Sequence, residues 1–259
     1  MRNSKVLQKI HDGSCARICG LGHYMPFYIR YAALNRYDGI WLDLEHRAMD
    51  NREVQSLLAL MRHNDIDCML RPPTRDRTRL YRYLEDGATG FMFPFVDDAE
   101  TARSLVEIVK YPPMGNRGID GAGIDADYGL DHIFTEEPTY LEDANRETFI
   151  VAQIETTTAL SNLDEIAQVE GVDVLFVGPG DLGARLAHAD MGDLDAAIEK
   201  VAEAAKRHGK AWGIPGGAPE AVEKYYKLGA QVMSNCGDFG VVKLLESGAA
   251  DFDRIVGGA

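Results

Sequence analysis

Short apolar runs alternate with amphipathic segments along the whole chain, and their spacing predicts eight strand–helix units. Residues 16–22 (Ala-Arg-Ile-Cys-Gly-Leu-Gly) read as a first strand, followed by a helix near 26–36. Gly39-Ile-Trp-Leu-Asp43 is the second strand; its helix, near 50–63, opens at Asp50, a favourable N-cap. Cys68-Met-Leu-Arg71 is the third, with a helix over about 77–87. Gly90-Phe-Met-Phe-Pro-Phe-Val96 is the fourth. The helix from Asp98 then places Ala99, Ala102, Leu105, Val106 and Val109 on one face. Phe149-Ile-Val-Ala-Gln-Ile-Glu155 is the fifth strand, its helix running to about 168, and the sixth strand ends near Val177. A helix near 194–208 precedes Ala211-Trp-Gly-Ile-Pro215. Pro219 opens the next helix as an N1 proline, Gln231-Val-Met-Ser-Asn235 is the eighth strand, and a last helix begins near Phe239.

Buried strands alternating with helices predict a parallel sheet, and eight units predict a closed (β/α)8 TIM barrel in one domain spanning residues 1–259. An open doubly wound sheet is the competitor, but no Gly-x-Gly-x-x-Gly follows the first strand. One long irregular connection, Pro112 to about Arg146, reads as a lid, a subunit contact or a disordered stretch.

Composition fits such a barrel: 259 residues, 46% hydrophobic and 26% charged. The 41 acids against 27 bases give a formal net charge of -14, which argues against nucleic acid or an anionic membrane as partner. The four cysteines, Cys15, Cys19, Cys68 and Cys236, show only one close pair, so they read as packing thiols rather than a metal site. The N-terminus reads as the start of an amphipathic helix rather than a signal peptide. With no apolar run of membrane-spanning length, a reduced cytoplasmic protein is expected.

Barrel active sites form at the C-terminal ends of the strands, so the strand tips are where chemistry is expected. They offer Asp43, Glu45 and His46; Arg71; Gln153 and Glu155; Gly178-Pro-Gly-Asp181; Gly216-Gly217; and Asn235 with Asp238. Glu155 and Asp181, on successive strands, suit a hard divalent cation that accepts few protein carboxylates; each is alternatively a cap for the helix that follows. His46, three residues past Asp43, suits a general base whose ring Asp43 orients, or else is a surface histidine. Arg71 can grip a carboxylate or a developing oxyanion, or form a structural ion pair with Glu45 or Asp43. Gly180 and Asp181 offer backbone N–H groups to a substrate carboxylate, unless the glycines mark a simple turn. None of the nine lysines lies at a strand C-terminus, which excludes a Schiff-base mechanism.

These residues carry a family likeness. Asp43-Leu-Glu45-His46, Arg71, Tyr111-Pro-Pro-Met-Gly-Asn-Arg117-Gly118, Gln153-Ile-Glu155 with Thr158-Ala-Leu-Ser-Asn162, and Val177-Gly-Pro-Gly-Asp181-Leu182 together resemble the HpcH/HpaI-type metal-dependent (class II) pyruvate aldolases. The likeness implies reversible cleavage of a 4-hydroxy-2-oxo acid to pyruvate, or a related 2-oxo acid, and an aldehyde, through an enolate whose charge a metal offsets. It implies a metal held by Glu155 and Asp181 (Mg²⁺ or Mn²⁺, with Co²⁺ or Zn²⁺ as alternatives) and His46 as base, oriented by Asp43. Arg71 would contact the keto oxygen, with Gln153, Gly180 and Asp181 lining the substrate site. A homohexamer with the last helix packed on a neighbouring subunit is also implied. Leu44, Arg47-Ala-Met, Gly22-His23-Tyr24 and the acidic 119–146 segment depart from the pattern, around the aldehyde side. Two other readings are an acyl-CoA lyase of the citrate-lyase-β or malyl-CoA type, and a phosphate-binding barrel using Gly213-Ile-Pro-Gly-Gly217 and Asn235-Cys-Gly237.

Overall fold

The computed structural model describes residues 1–257. Eight parallel strands close into a barrel in sequence order: β1 (Ala16–Leu21), β2 (Gly39–Asp43), β3 (Asp67–Arg71), β4 (Gly90–Phe93), β5 (Phe149–Ile154), β6 (Val174–Val177), β7 (Ala211–Pro215) and β8 (Val232–Gly237). The expected (β/α)8 barrel is the observed fold. Because side chains alternate across a strand, each contributes every second residue to the interior. Ile18, Trp41, Met69, Met92, Val151, Phe176 and Val232 pack there as one inner core. The residues between them face a separate outer layer against the helices.

The helices are α1 (Lys5–His11), α2 (Pro26–Leu34), α3 (Asn51–His63), α4 (Arg77–Glu85), α5 (Ala99–Val109), α6 (Tyr140–Glu147), α7 (Thr157–Ser161), α8 (Leu163–Ala167), α9 (Pro179–Ala189), α10 (Leu194–Arg207), α11 (Pro219–Lys227) and α12 (Gly240–Val256). Asp50 caps α3 within a full capping box with Glu53. α1 sends Val6 and Leu7 into the inner core, closing the N-terminal end.

Two expectations change. The fourth strand stops at Phe93: Pro94 has no N–H for the ladder, and Phe95 adopts φ +53°. The 112–146 connection is not simply irregular. It holds a 3-10 turn over Ile124–Gly129 and α6. Arg117 pairs with Asp125 at 2.7 Å, and the Tyr140 hydroxyl donates to the same carboxylate at 2.6 Å, both buried. The cluster sits in a small core of its own with Tyr111, Ala126 and Ala144, separate from the two barrel cores.

α12 departs from the barrel. None of its residues is buried; Leu244, Leu245, Phe252 and Ile255 are all exposed. Where a helix following β8 would cover β8 and β1, a cavity of about 540 Å³ remains, lined by Cys15, Cys19, Tyr28, Tyr31, Met233 and Cys236. Burial pushes the Cys15 thiol up to about 11 and Cys19 to about 12, so both are protonated packing groups.

Candidate active site

Inward positions at the C-terminal ends of β2, β3 and β5 bring Asp43, Arg71, Gln153 and Glu155 to the barrel mouth. Asp43 and Arg71 are direct register partners. The guanidinium grips both carboxylate oxygens, Nε to Oδ1 at 3.0 Å and Nη2 to Oδ2 at 2.8 Å. Its Nη1 lies 3.1 Å from Glu45 Oε2, and the Trp41 ring lies beneath it, 4.8 Å from Cζ to centroid. Arg71 is therefore fixed in direction by two carboxylates and an aromatic face. The expected structural ion pair is present with both acids. Burial alone would raise the Asp43 carboxyl, but Arg71 and the N–H groups of His46 and Glu45 hold it below the ordinary carboxylate value.

Asp43 does not meet the His46 ring as expected. Its Oδ1 accepts the backbone N–H groups of Glu45 (3.1 Å) and His46 (3.3 Å), shaping the turn. The ring faces Glu45 instead, with Nε2 3.5 Å from Oε2, and is 56% exposed to the mouth. The reason is geometric: residues three apart in a tight turn meet through the backbone, while the Asp43 side chain is already committed across the sheet.

Glu155 is only 2% exposed. Oε1 accepts the Phe95 N–H at 2.8 Å, and Oε2 accepts Gln153 Nε2 at 2.6 Å. It does not cap the next helix; Thr156 does, through Ala159 N–H at 2.9 Å. Burial first, then the charges of Glu45 and Asp181, push its carboxyl up to about 7 against the Phe95 N–H and Arg71. Gln153 Oε1 is buried with no partner. Gly178 makes this packing possible, since a Cβ there would stand 2.8 Å from Gln153 Nε2 and 2.9 Å from Glu155 Oε2. Asp181, in the first turn of α9, is 52% exposed and pairs with Arg185 at 3.3 Å. It caps nothing. No side chain caps α9, and its first intrahelical bond is Leu182 N–H to the Gly178 carbonyl at 3.0 Å, so the N–H groups of Gly180 and Asp181 precede the ladder.

Of two further sequence candidates, Asp238 borders the mouth beside Asp43 and Arg71, and Asn235 lies outside it. Asp238 ties β8 to the loop after β1, accepting Gly22 N–H at 2.9 Å and meeting His23 Nδ1 at 2.7 Å. Asn235 lines the outer cavity, with its side chain on the Cys236 N–H. Two of the four glycines of the phosphate-binding reading serve packing: a Cβ on Gly213 would lie 2.3 Å from the Val232 carbonyl, and one on Gly216 would lie 2.6 Å from Val222, whereas a Cβ on Gly217 would meet nothing. Lys110 and Lys210 donate to the Asn145 (2.6 Å) and Val172 (2.8 Å) carbonyls, near the starts of β5 and β6 and away from the mouth. Trp41, Phe95 and Arg185 were not singled out in the sequence. Trp41 was within reach, two residues before Asp43 on the same face.

Among the described residues no group of three or more His, Cys, Asp and Glu is arranged to hold a metal. The oxygens that could hold one are the Glu155 carboxylate, with the partnerless Gln153 Oε1 in the side chain bonded to it, and the Asp181 carboxylate, whose charge raises the Glu155 carboxyl. Mg²⁺-type ions take that kind of set, completing their shell with water and substrate. Cavities of about 190 Å³, against Trp41, Asp43 and Arg71, and about 260 Å³, against Glu45, Pro72 and Phe95, open at the mouth.

Residues 22–242 match the family model described as HpcH/HpaI aldolase/citrate lyase. The chain belongs to this family. It is 38% identical over 196 residues to the 2-dehydro-3,6-dideoxy-6-sulfogluconate aldolase of Pseudomonas putida, covering 74% of each chain. It is 35% identical over 213 residues to the hydroxypyruvate/pyruvate aldolase of Deinococcus radiodurans, covering 81% of this chain and 75% of that one. Among solved structures, the HpcH/HpaI aldolase from Desulfitobacterium hafniense superposes with a TM-score of 0.85 at 30% identity, covering 96% of each chain.

Proposed function

We propose that the protein is a carbon–carbon lyase that reversibly cleaves a 4-hydroxy-2-oxo acid to pyruvate, or a close relative such as hydroxypyruvate, and an aldehyde. The observation that carries this reading is the acid-rich, lysine-free mouth. Glu155 is buried beside Glu45 and Asp181, next to an arginine held in one orientation by two carboxylates. Glu155 and Asp181 would hold a divalent ion, Mg²⁺ or Mn²⁺ by donor chemistry. Such an ion supplies Lewis acidity to the 2-oxo acid.

The chain's own groups do the rest. The N–H groups of Gly180 and Asp181, at the positive end of α9, receive the substrate carboxylate. Arg71 points its guanidinium at the keto oxygen, where negative charge develops as the C3–C4 bond breaks. Asp43 and Glu45 keep it from turning away. His46 takes the C4 hydroxyl proton, directly or through a water; the C3–C4 electron pair passes into the enolate, whose C3 then takes up a proton, from the imidazolium or from water, to give the methyl group of pyruvate, and condensation runs the same steps in reverse. Glu45, beside Nε2, stabilises the imidazolium that results.

The test needs no knowledge of the aldehyde. In deuterated water with Mn²⁺ or Mg²⁺, the enzyme should exchange pyruvate methyl protons, followed by NMR, and EDTA should stop it. Metal-loaded protein that leaves the methyl group untouched would sink the proposal.

The whole chain, residues 1–259, acts in this reading as one catalytic domain of a cytoplasmic enzyme. No helix among the described residues is long and apolar enough to cross a membrane. The exposed apolar face of α12 and the uncovered cavity over β8 and β1 match in chemistry, so α12 seats on a neighbouring copy and builds a homo-oligomer, a hexamer by family likeness. A monomer by light scattering would refute the exchange.

A further inference from the structure

Phe95, just past β4, has φ +53°. A bulky side chain occupies that region only where its surroundings enforce it, and such residues cluster at working sites. The ring is 39% exposed, so core packing does not account for the conformation. Arg75, in the loop after β3, donates through Nη2 to the carbonyls of Pro94 (2.8 Å) and Phe95 (2.7 Å). The N–H of Phe95 donates to Glu155 Oε1 at 2.8 Å.

The N–H of Phe95 and the carbonyl of Pro94 belong to one peptide plane, and in a trans peptide they point in opposite directions. That plane is therefore gripped at both ends, by Glu155 on one side and Arg75 on the other. A guanidinium on the carbonyl polarises the amide and strengthens its N–H as a donor. Successive carbonyls of an extended strand point to opposite sides; the left-handed φ turns both toward the single Arg75 head. On the other flank, Arg185 lies over the Phe95 ring, 5.5 Å from Cζ to centroid, and its Nη2 pairs with Asp181 at 3.3 Å. The loop is fastened further where Asp97 accepts the Thr156 hydroxyl and its carbonyl accepts Asn162 Nδ2 at 2.8 Å. One residue thus connects to both carboxylates, by its amide and through Arg185.

We infer that Arg75 and Phe95 are positioning residues of the metal centre: Arg75 locks the Pro94–Phe95 peptide so that its N–H holds Glu155 Oε1, leaving the cation to share Oε2 with the Gln153 amide that donates to it. This rests on the metal reading above. Both residues also line the cavity of about 260 Å³ at the mouth. Their effect passes through Glu155.

Isothermal titration with Mn²⁺ alone, on wild type, Arg75→Ala and Arg75→Lys, tests it. Arg75 is exposed, so the metal-free variants should melt with the wild-type protein. Arg75→Ala should weaken Mn²⁺ about tenfold, at the lower end for removal of an outer-shell partner. Arg75→Lys, which keeps a cationic donor to the carbonyls, should recover most of that affinity. Wild-type affinity in Arg75→Ala overturns the inference while leaving the metal reading intact. A wild-type protein that binds no Mn²⁺ overturns the metal reading, and the inference falls with it.

Discussion

Asp67 and Glu155 are both buried acids at strand ends, one at the start of β3 and the other just past β5, and their surroundings differ in kind. Asp67 has every oxygen served by the chain itself: Arg2 and the Ser4 hydroxyl (2.7 Å) by side chain, Val6 by backbone N–H at 2.8 Å. Glu155 accepts two hydrogen bonds, yet its nearest charges include two further acids, Glu45 and Asp181, and the Gln153 oxygen beside it has no partner. A buried anion with its donors complete fixes structure. A buried anion among like charges is tolerated only where something else offsets the charge. The N-terminal end of the barrel is closed by α1, and at the C-terminal end the acids stand around an open mouth.

That contrast predicts opposite outcomes for removing each acid. Glu155→Ala should abolish Mn²⁺ binding and metal-dependent turnover, exceeding the ~100-fold upper range of outer-shell losses. Its metal-free thermal stability should hold or rise, because an acid crowded by like charges is removed. Calorimetric titration and a pyruvate exchange assay measure the two halves. A folded Glu155→Ala protein with normal Mn²⁺ affinity contradicts the contrast.

Asp67→Ala should do the reverse. Arg2, Ser4 and the Val6 N–H lose their common acceptor, and breaking a buried pair on one side costs roughly 3–5 kcal/mol. Denaturant unfolding should show that loss, while Mn²⁺ affinity of the folded protein stays as in wild type. A variant as stable as wild type would mean that the lower network is ornamental.

How far these roles were legible depended on whether they follow from a strand's own alternation. Glu155 and Arg71 stood out because apolar strands ended in charge, and period-two counting then points both inward. Asp43 is legible at its strand tip, but its partner is not. Its proximity to His46 in sequence suggested a ring contact, whereas its side chain is taken by Arg71, twenty-eight positions away and level with it only once β2 and β3 are in register. Phe95 was invisible, since its contribution is a backbone N–H and a φ angle that no side-chain chemistry announces. The Arg117–Asp125–Tyr140 cluster was missed for a related reason: its members are dispersed through a polar segment, and burial came from tertiary packing rather than from any periodic pattern.

Asp43 belongs to the receiving end yet is satisfied like Asp67, which makes it the finest probe of the contrast. Its folded carboxyl lies below the ordinary value near about 3.9. A depressed acid contributes stability that is present above its unfolded pKa and lost as pH falls through the folded one. Wild-type protein should therefore lose this contribution only below about pH 4, and Asp43→Asn should flatten the acid limb of a Tm-against-pH curve over that window alone. Arg71 keeps Glu45 in the variant, so the effect is the smallest of the three. Superimposable acid limbs would show that the Asp43–Arg71 pair, for all its geometry, is as unbound energetically as a surface ion pair.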